Sequence, residues 1–201
     1  MSSKVDVISS NEYKLIGTLF NTYIVLEKDK EMVLVDQHAL HERILFDKFN
    51  LELKNKSIAL QPLLVPYILD VNKSESIFIN ENIDLLYELG FELEEFGEDS
   101  FKLSTVPMLF HSINIGDFFD TLLNNLDTKY IADKESFMRE YIAKTACKSA
   151  VKANDRLSER EINSLVEHLN DPNQVLLCPH GRPVVVNIKQ KEIEKWFKRI
   201  V

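Results

Sequence analysis

The chain has 201 residues, 45% of them hydrophobic, enough to bury a core in one domain or two small ones. Its net charge of −8 argues against a domain that grips nucleic acid through a broad basic surface, though not against DNA as a substrate delivered by something else. No apolar run approaches bilayer-spanning length and the first residues lack the apolar segment of a secretory leader, so a cytoplasmic location is expected.

Residues 1–11 read as a linker remnant. Three short strands follow, at about 14–20, 23–27 and 32–35, with turns at 21–22 and 28–31. The apolar run Met32-Val33-Leu34-Val35 stops at Asp36, a good helix N-cap, and Ile44, Leu45, Phe49 and Leu53 continue at helical spacing. Residues 61–71 are extended and apolar, with Pro62 and Pro66 opposing helix. A helix is predicted over 76–89, ended by Gly90. A hairpin follows over 91–96 and 101–106 around Gly97-Glu98-Asp99-Ser100. Helices are predicted at 118–126 and 133–152, and a capping box at Ser158 and Glu161 opens another, with Ile162, Leu165, Val166 and Leu169 on one side. A strand at 183–188 and a helix at 191–199 close the chain.

Chemistry concentrates in two places. His38 and Glu42 stand four apart on the helix after Asp36, so both lie on one face, an imidazole and a carboxylate on adjacent turns. Such a pair alone is ordinarily surface decoration. Far downstream stands Cys178-Pro179-His180-Gly181-Arg182-Pro183, where a thiolate and a second imidazole lie two residues apart in a tight turn. Cys147 and Cys178 are the chain's two cysteines, and ligation or burial is a better reading than a disulfide in a reducing compartment. Four candidate ligands on two segments point to a divalent metal site. The two clusters are more than a hundred residues apart, so the ends of the chain must fold together around an inserted middle segment.

With these residues in view, the chain resembles the C-terminal domain of the endonuclease-bearing MutL mismatch-repair proteins. Asp36-Gln37-His38-Ala39 with Glu42 resembles the family's nuclease motif. Ala146-Cys147-Lys148 resembles its short Cys motif, residues 178–183 its Cys-Pro-His-Gly-Arg-Pro motif, and Phe197-Lys198-Arg199 its C-terminal Phe-x-Arg. The order matches across about residues 12–201. One position departs: Asp47 stands where the family pattern carries a second Glu. Five helical residues turn it about 140° from Glu42, which suits a supporting acid better than a direct ligand.

The resemblance implies an α+β fold. A mixed-sheet dimerisation subdomain (12–65 with 145–201) would carry the metal site, and a smaller regulatory α/β subdomain (66–144) would be inserted into it. The apolar runs Val33–Val35 and Val184–Val186 would then be strands covered on both faces or at a dimer interface. It implies an endonuclease that nicks one strand of duplex DNA, with Zn²⁺ in the site and Mn²⁺ or Mg²⁺ supporting hydrolysis. Asp36, His38 and Glu42 would be catalytic and metal-binding, Cys147, Cys178 and His180 the softer ligands, and Gln37, Asp47, Lys148, Arg182 and Arg199 supporting groups. Gln61, Leu64 and Pro66 match the family's sliding-clamp-binding segment, an extended peptide that would lay an apolar side chain in a pocket. Implied partners are a second copy of the chain, the sliding clamp, weakly bound duplex DNA, a mismatch-recognition protein and the ATPase region of a longer protein. The family's ATPase region is absent from this sequence, so no ATP would be bound here. A cytoplasmic, nucleoid-associated location follows, with no membrane partner. Two other readings remain: a non-catalytic dimerisation and clamp-binding module with a structural zinc, and an unrelated zinc hydrolase, which fits the ligands but not the motif order.

Overall fold

Short apolar strands joined by tight turns open the first unit. In the computed structural model, residues 13–110, 113–128, 133–150, 157–171 and 175–199 are described, with 125–128, 134–135, 146 and 148–150 described by backbone alone. The linker remnant expected at 1–11 lies outside the described residues. Strands β1 (Lys14–Leu19), β2 (Tyr23–Lys28) and β3 (Glu31–Asp36) form an antiparallel meander. Its turns place Phe20, Asn21 and Asp29 at positive φ. From the far end of the chain, β7 (Val185–Lys189) pairs antiparallel with β3, giving the order β1-β2-β3-β7.

Helix α1 (Gln37–Lys54) leaves β3 directly, and α6 (Glu159–Glu167) starts at the Ser158–Glu161 capping box read from the sequence. Ile24, Leu26, Val33 and Val35 from the sheet bury against Ala39 and Leu40 of α1 and Ile162, Leu165 and Val166 of α6. Every second residue of β3 faces this core, which is the period of a strand covered on one side. A last helix, α7 (Gln190–Trp196), stops short of the 191–199 expected, with Lys198 at positive φ beyond it.

The second unit has its own core. Strand β4 (Leu60–Asp70) is followed by α2 (Lys73–Glu81), α3 (Ile83–Glu88), β5 (Glu92–Glu95), β6 (Ser100–Pro107), α4 (Ile115–Thr128) and α5 (Lys134–Ala150). Its sheet is antiparallel in the order β4-β6-β5. Phe91, Phe110, Phe118 and Phe119 pack ring against ring at 5.0–5.7 Å between centroids. Gly90 takes φ +92, where a side chain would press on Leu60 and Pro107.

The α+β class agrees with the sequence reading. Four particulars differ. Both sheets are antiparallel throughout, not mixed, because β7 returns to β3 in the opposite direction. The single helix expected over 76–89 starts earlier, where Asn72 and Glu75 cap each other's backbone, and breaks at Asn82, whose side chain donates to Phe78 O. The compact units divide the chain as Met1–Ile44 with Val151–Val201, and Leu45–Ala150, rather than near 65 and 145. The cause is that β4 pairs with β6 at both ends of its length, so residues 60–65 fold with the second unit. Finally, Val33 and Val35 are buried but Val186 is 47% exposed, so the apolar runs are not covered on both faces within the chain. No helix among the described residues is long and apolar enough to cross a membrane.

Candidate metal centre

The site is assembled by backbone pairing at one end of the four-stranded sheet. Asp36 N–H donates to Val184 O at 2.9 Å, and Val184 N–H donates to Leu176 O at 2.9 Å. These bonds tie the end of β3 to the segment that carries Cys178. That segment turns back on itself: Leu177 bridges Pro183, Cys178 N–H donates to Arg182 O at 2.8 Å, and Gly181 N–H donates to Cys178 O at 2.9 Å. Gly181 sits at φ +82, a conformation that side-chain-bearing residues adopt at a cost, so the motif's glycine is required by the turn.

One carboxylate is the centre of the arrangement. Glu42 is buried on the first turns of α1. Its Oε1 lies 3.2 Å from His38 Nε2, as the i, i+4 spacing predicts. Its Oε2 lies 3.4 Å from His180 Nδ1 and accepts a hydrogen bond from Arg182 Nη2 at 2.9 Å. The donor atoms of Glu42, Cys178 and His180 all lie within 4.8 Å of one another. Two buried polar atoms in this region, Glu42 Oε1 and His38 Nδ1, have no hydrogen-bond partner. A buried carboxylate oxygen that makes no well-aligned hydrogen bond is costly unless something else fills its lone pairs. A thiol, an imidazole and a carboxylate at this separation are a donor set suited to zinc. The residues therefore fit the ion that the sequence implied.

The remaining candidates distribute as follows. Asp36 lies outside the three-donor group, and its Oδ1 accepts from Ala39 N–H at 2.9 Å, a helix N-cap. Gln37 is buried, and its N–H donates to Thr22 O. Arg199 lies outside the group too, lining a cavity of about 400 Å³ with Ile16, Val25, Met32 and Ile193. Cys147 is buried on α5 and Asp47 lies half-exposed on α1, both in the second unit. The side chain of Lys148 lies outside the described residues. In the second unit, β4 loses register with β6 between Pro62 and Tyr67, and Leu64 and Val65 project fully into solvent there. Gln61 remains paired opposite Val106.

One neighbour of the site was not read from the sequence. His41 is half-buried one residue before Glu42. Burial pushes its pKa below the ordinary value, the charge of a protonated His38 pushes the same way, and Glu161 opposes both weakly. Its signal in the sequence is only a second histidine within one helical turn of His38. The neighbouring Cys178 raises the Arg182 pKa above its ordinary value, partial burial opposes this, and Glu42 adds to the rise.

A family profile described as the MutL C terminal dimerisation domain matches residues 16–157. The chain belongs to this family. The match takes in Asp36, His38 and Glu42 and stops before the Cys178 turn. Similar proteins extend across it. A protein named DNA mismatch repair protein MutL from Clostridium botulinum type F is 42% identical over 191 residues, covering 94% of this chain and 28% of the relative. Proteins of the same name from Thermoanaerobacter pseudethanolicus and Clostridium tetani are 37% and 36% identical, covering 95% and 94% of this chain and 31% and 30% of theirs. The family chain described here thus spans less than a third of the length of the relatives it matches.

Proposed function

We propose that this chain is the metal-dependent endonuclease and dimerisation portion of a DNA mismatch-repair protein, and that it nicks one strand of duplex DNA. The observation that carries the reading is the convergence of Glu42, Cys178 and His180 to within 4.8 Å, with Glu42 Oε1 buried and making no hydrogen bond. These three residues would hold Zn²⁺, with Mn²⁺ or Mg²⁺ supporting hydrolysis. A bound divalent ion would lower the pKa of a water and neutralise charge on the phosphodiester.

The chain's own residues have separable roles. His38, one turn before Glu42, fixes the direction of the carboxylate. Asp36 places a negative charge at the head of α1 and starts the helix that presents both. Arg182, half-exposed beside Glu42, is the cation best placed to meet a phosphate oxygen as well. The net charge of −8 keeps DNA affinity weak and salt-sensitive. Delivery by a sliding clamp, docked on Gln61, Leu64 and Pro66, would offset that weakness by raising the effective concentration of DNA. Dimerisation is supported by the family's description and by exposed apolar residues in the first unit, among them Ile16, Phe20, Trp196 and Phe197.

The test is nicking of supercoiled plasmid with Mn²⁺, with and without the clamp, against Glu42→Ala. Nicking by the parent alone, stimulated by the clamp, is the expected result. A parent no more active than Glu42→Ala overturns the nuclease reading. One observation favours the runner-up, a dimerisation and clamp-binding module with structural zinc. The three-donor group holds a single carboxylate, while Asp36 caps the helix. Zinc-loaded, dimeric protein without nicking is the outcome that selects it.

A further inference from the structure

We infer that Arg182 is a positioning residue for the metal cradle: it grips Glu42 through Oε2 and so holds the carboxylate in place beside Cys178 and His180 for one ion. The inference rests on the metal-centre reading above.

The argument starts from charge. The side chain of Glu42 is 1% exposed, and a carboxylate taken out of water needs a compensating cation beside it. His38 and His180 touch it at 3.2 and 3.4 Å, but an imidazole that is to ligate a metal must be neutral. His180, one of the three donors, cannot balance the charge and offer a lone pair at once. Arg182 can balance it, because a guanidinium never gives up its proton at ordinary pH and has no lone pair to offer. Its Nη2 donates to Glu42 Oε2 at 2.9 Å.

The division of labour on the carboxylate is the second observation. Oε2 accepts from Arg182, with His180 Nδ1 at 3.4 Å, while Oε1 is buried, makes no hydrogen bond and has His38 Nε2 at 3.2 Å. A carboxylate anchored by one oxygen presents the other in a fixed direction. The turn that carries Arg182 is the third. Arg182 O accepts from Cys178 N–H, so the residue that holds Glu42 is bonded through its backbone to the residue that supplies the thiolate. One residue thereby couples the two halves of the cradle, which come from opposite ends of the sequence. Groups that orient metal ligands in this way typically carry a tenfold to hundredfold effect on metal affinity.

The test uses the whole chain, metal alone and no DNA. Zn²⁺ affinity is measured against a chromophoric chelator, and Co²⁺ binding is followed by its thiolate charge-transfer band, for the parent, Arg182→Gln and Arg182→Lys. Arg182→Gln is expected to weaken Zn²⁺ binding by about tenfold to hundredfold and to lower the Co²⁺–thiolate band at equal metal. Arg182→Lys keeps the charge and recovers part of the loss. In a Glu42→Gln background, Arg182→Gln should change affinity by less than about threefold, because its partner is gone. Equal affinity in parent and Arg182→Gln overturns the inference while leaving the metal centre standing. Tighter binding by Arg182→Gln also overturns it, since the guanidinium would then compete with the ion. A parent that binds neither Zn²⁺ nor Co²⁺ overturns the metal centre and this inference together.

Discussion

Asp36 Oδ1 accepts the backbone N–H of Ala39 at 2.9 Å, so the acid that opens the motif also caps the helix that carries His38 and Glu42. The two duties separate under mutation. Asn caps as well as Asp, whereas Ala cannot cap. Asp36→Asn is expected to keep the parent's thermal stability and most of its zinc yet lose most of its nicking, and Asp36→Ala to lose about 1 kcal/mol of stability as well. Calorimetry with plasmid nicking separates these. Parental nicking by Asp36→Asn would remove the acid from the chemistry.

Protein purified without chelators is expected to carry zinc, because a thiol and an imidazole at this spacing select Zn²⁺ over Mg²⁺. Cys178→Ala or His180→Ala should each lower the zinc content, read by elemental analysis. Zinc-free parent protein would sink the site.

Leu64 stands fully in solvent where β4 leaves its register with β6. Truncating it removes no core contact, so Gln61→Ala combined with Leu64→Ala should shift stability by no more than about 0.5 kcal/mol. The same pair should weaken binding to the sliding clamp by about tenfold or more, the loss of one anchor side chain. A titration that gives the parental affinity removes this assignment.

Phe91 meets Phe110 and Phe119 edge-on and Phe118 in a stack, with its own side chain fully buried. Phe91→Ala should cost about 3–5 kcal/mol, and Phe91→Leu less, in urea unfolding. A loss below 1 kcal/mol, well short of that range, would mean the cavity collapses freely and the ring cluster is not the organising core.

The Ser158 hydroxyl and N–H hold the Glu161 carboxyl below its usual pKa at the head of α6. A depressed carboxyl stabilises the folded state above its ordinary value near 4.5, and the contribution fades as pH falls through the lowered value. Ser158→Ala should therefore lower the melting temperature at pH 7, and the gap from the parent should narrow as the pH is taken below 4. A gap that widens in acid would contradict the capping box as its origin.

Much of this molecule is local and was readable. The meander turns, the Ser158 capping box and the pairing of His38 with Glu42 depend on residues within four of each other, and helical period alone brings an imidazole to 3.2 Å from a carboxylate. The motif order along the chain likewise carries the resemblance to the family. Other features depended on partners that a linear reading does not see. The helix break at Asn82 hinged on a side chain turning back to Phe78 O, and the boundary between the units on β4 finding β6. The candidate site is the extreme case. Nothing in 178–183 says that Cys178 and His180 face Glu42. That was decided by the antiparallel pairing of β7 with β3 and by the bond from Asp36 N–H to Val184 O. Burial then gave Glu42 its need for Arg182, because the cost of an unpaired carboxylate exists only once the surrounding chain has removed the water.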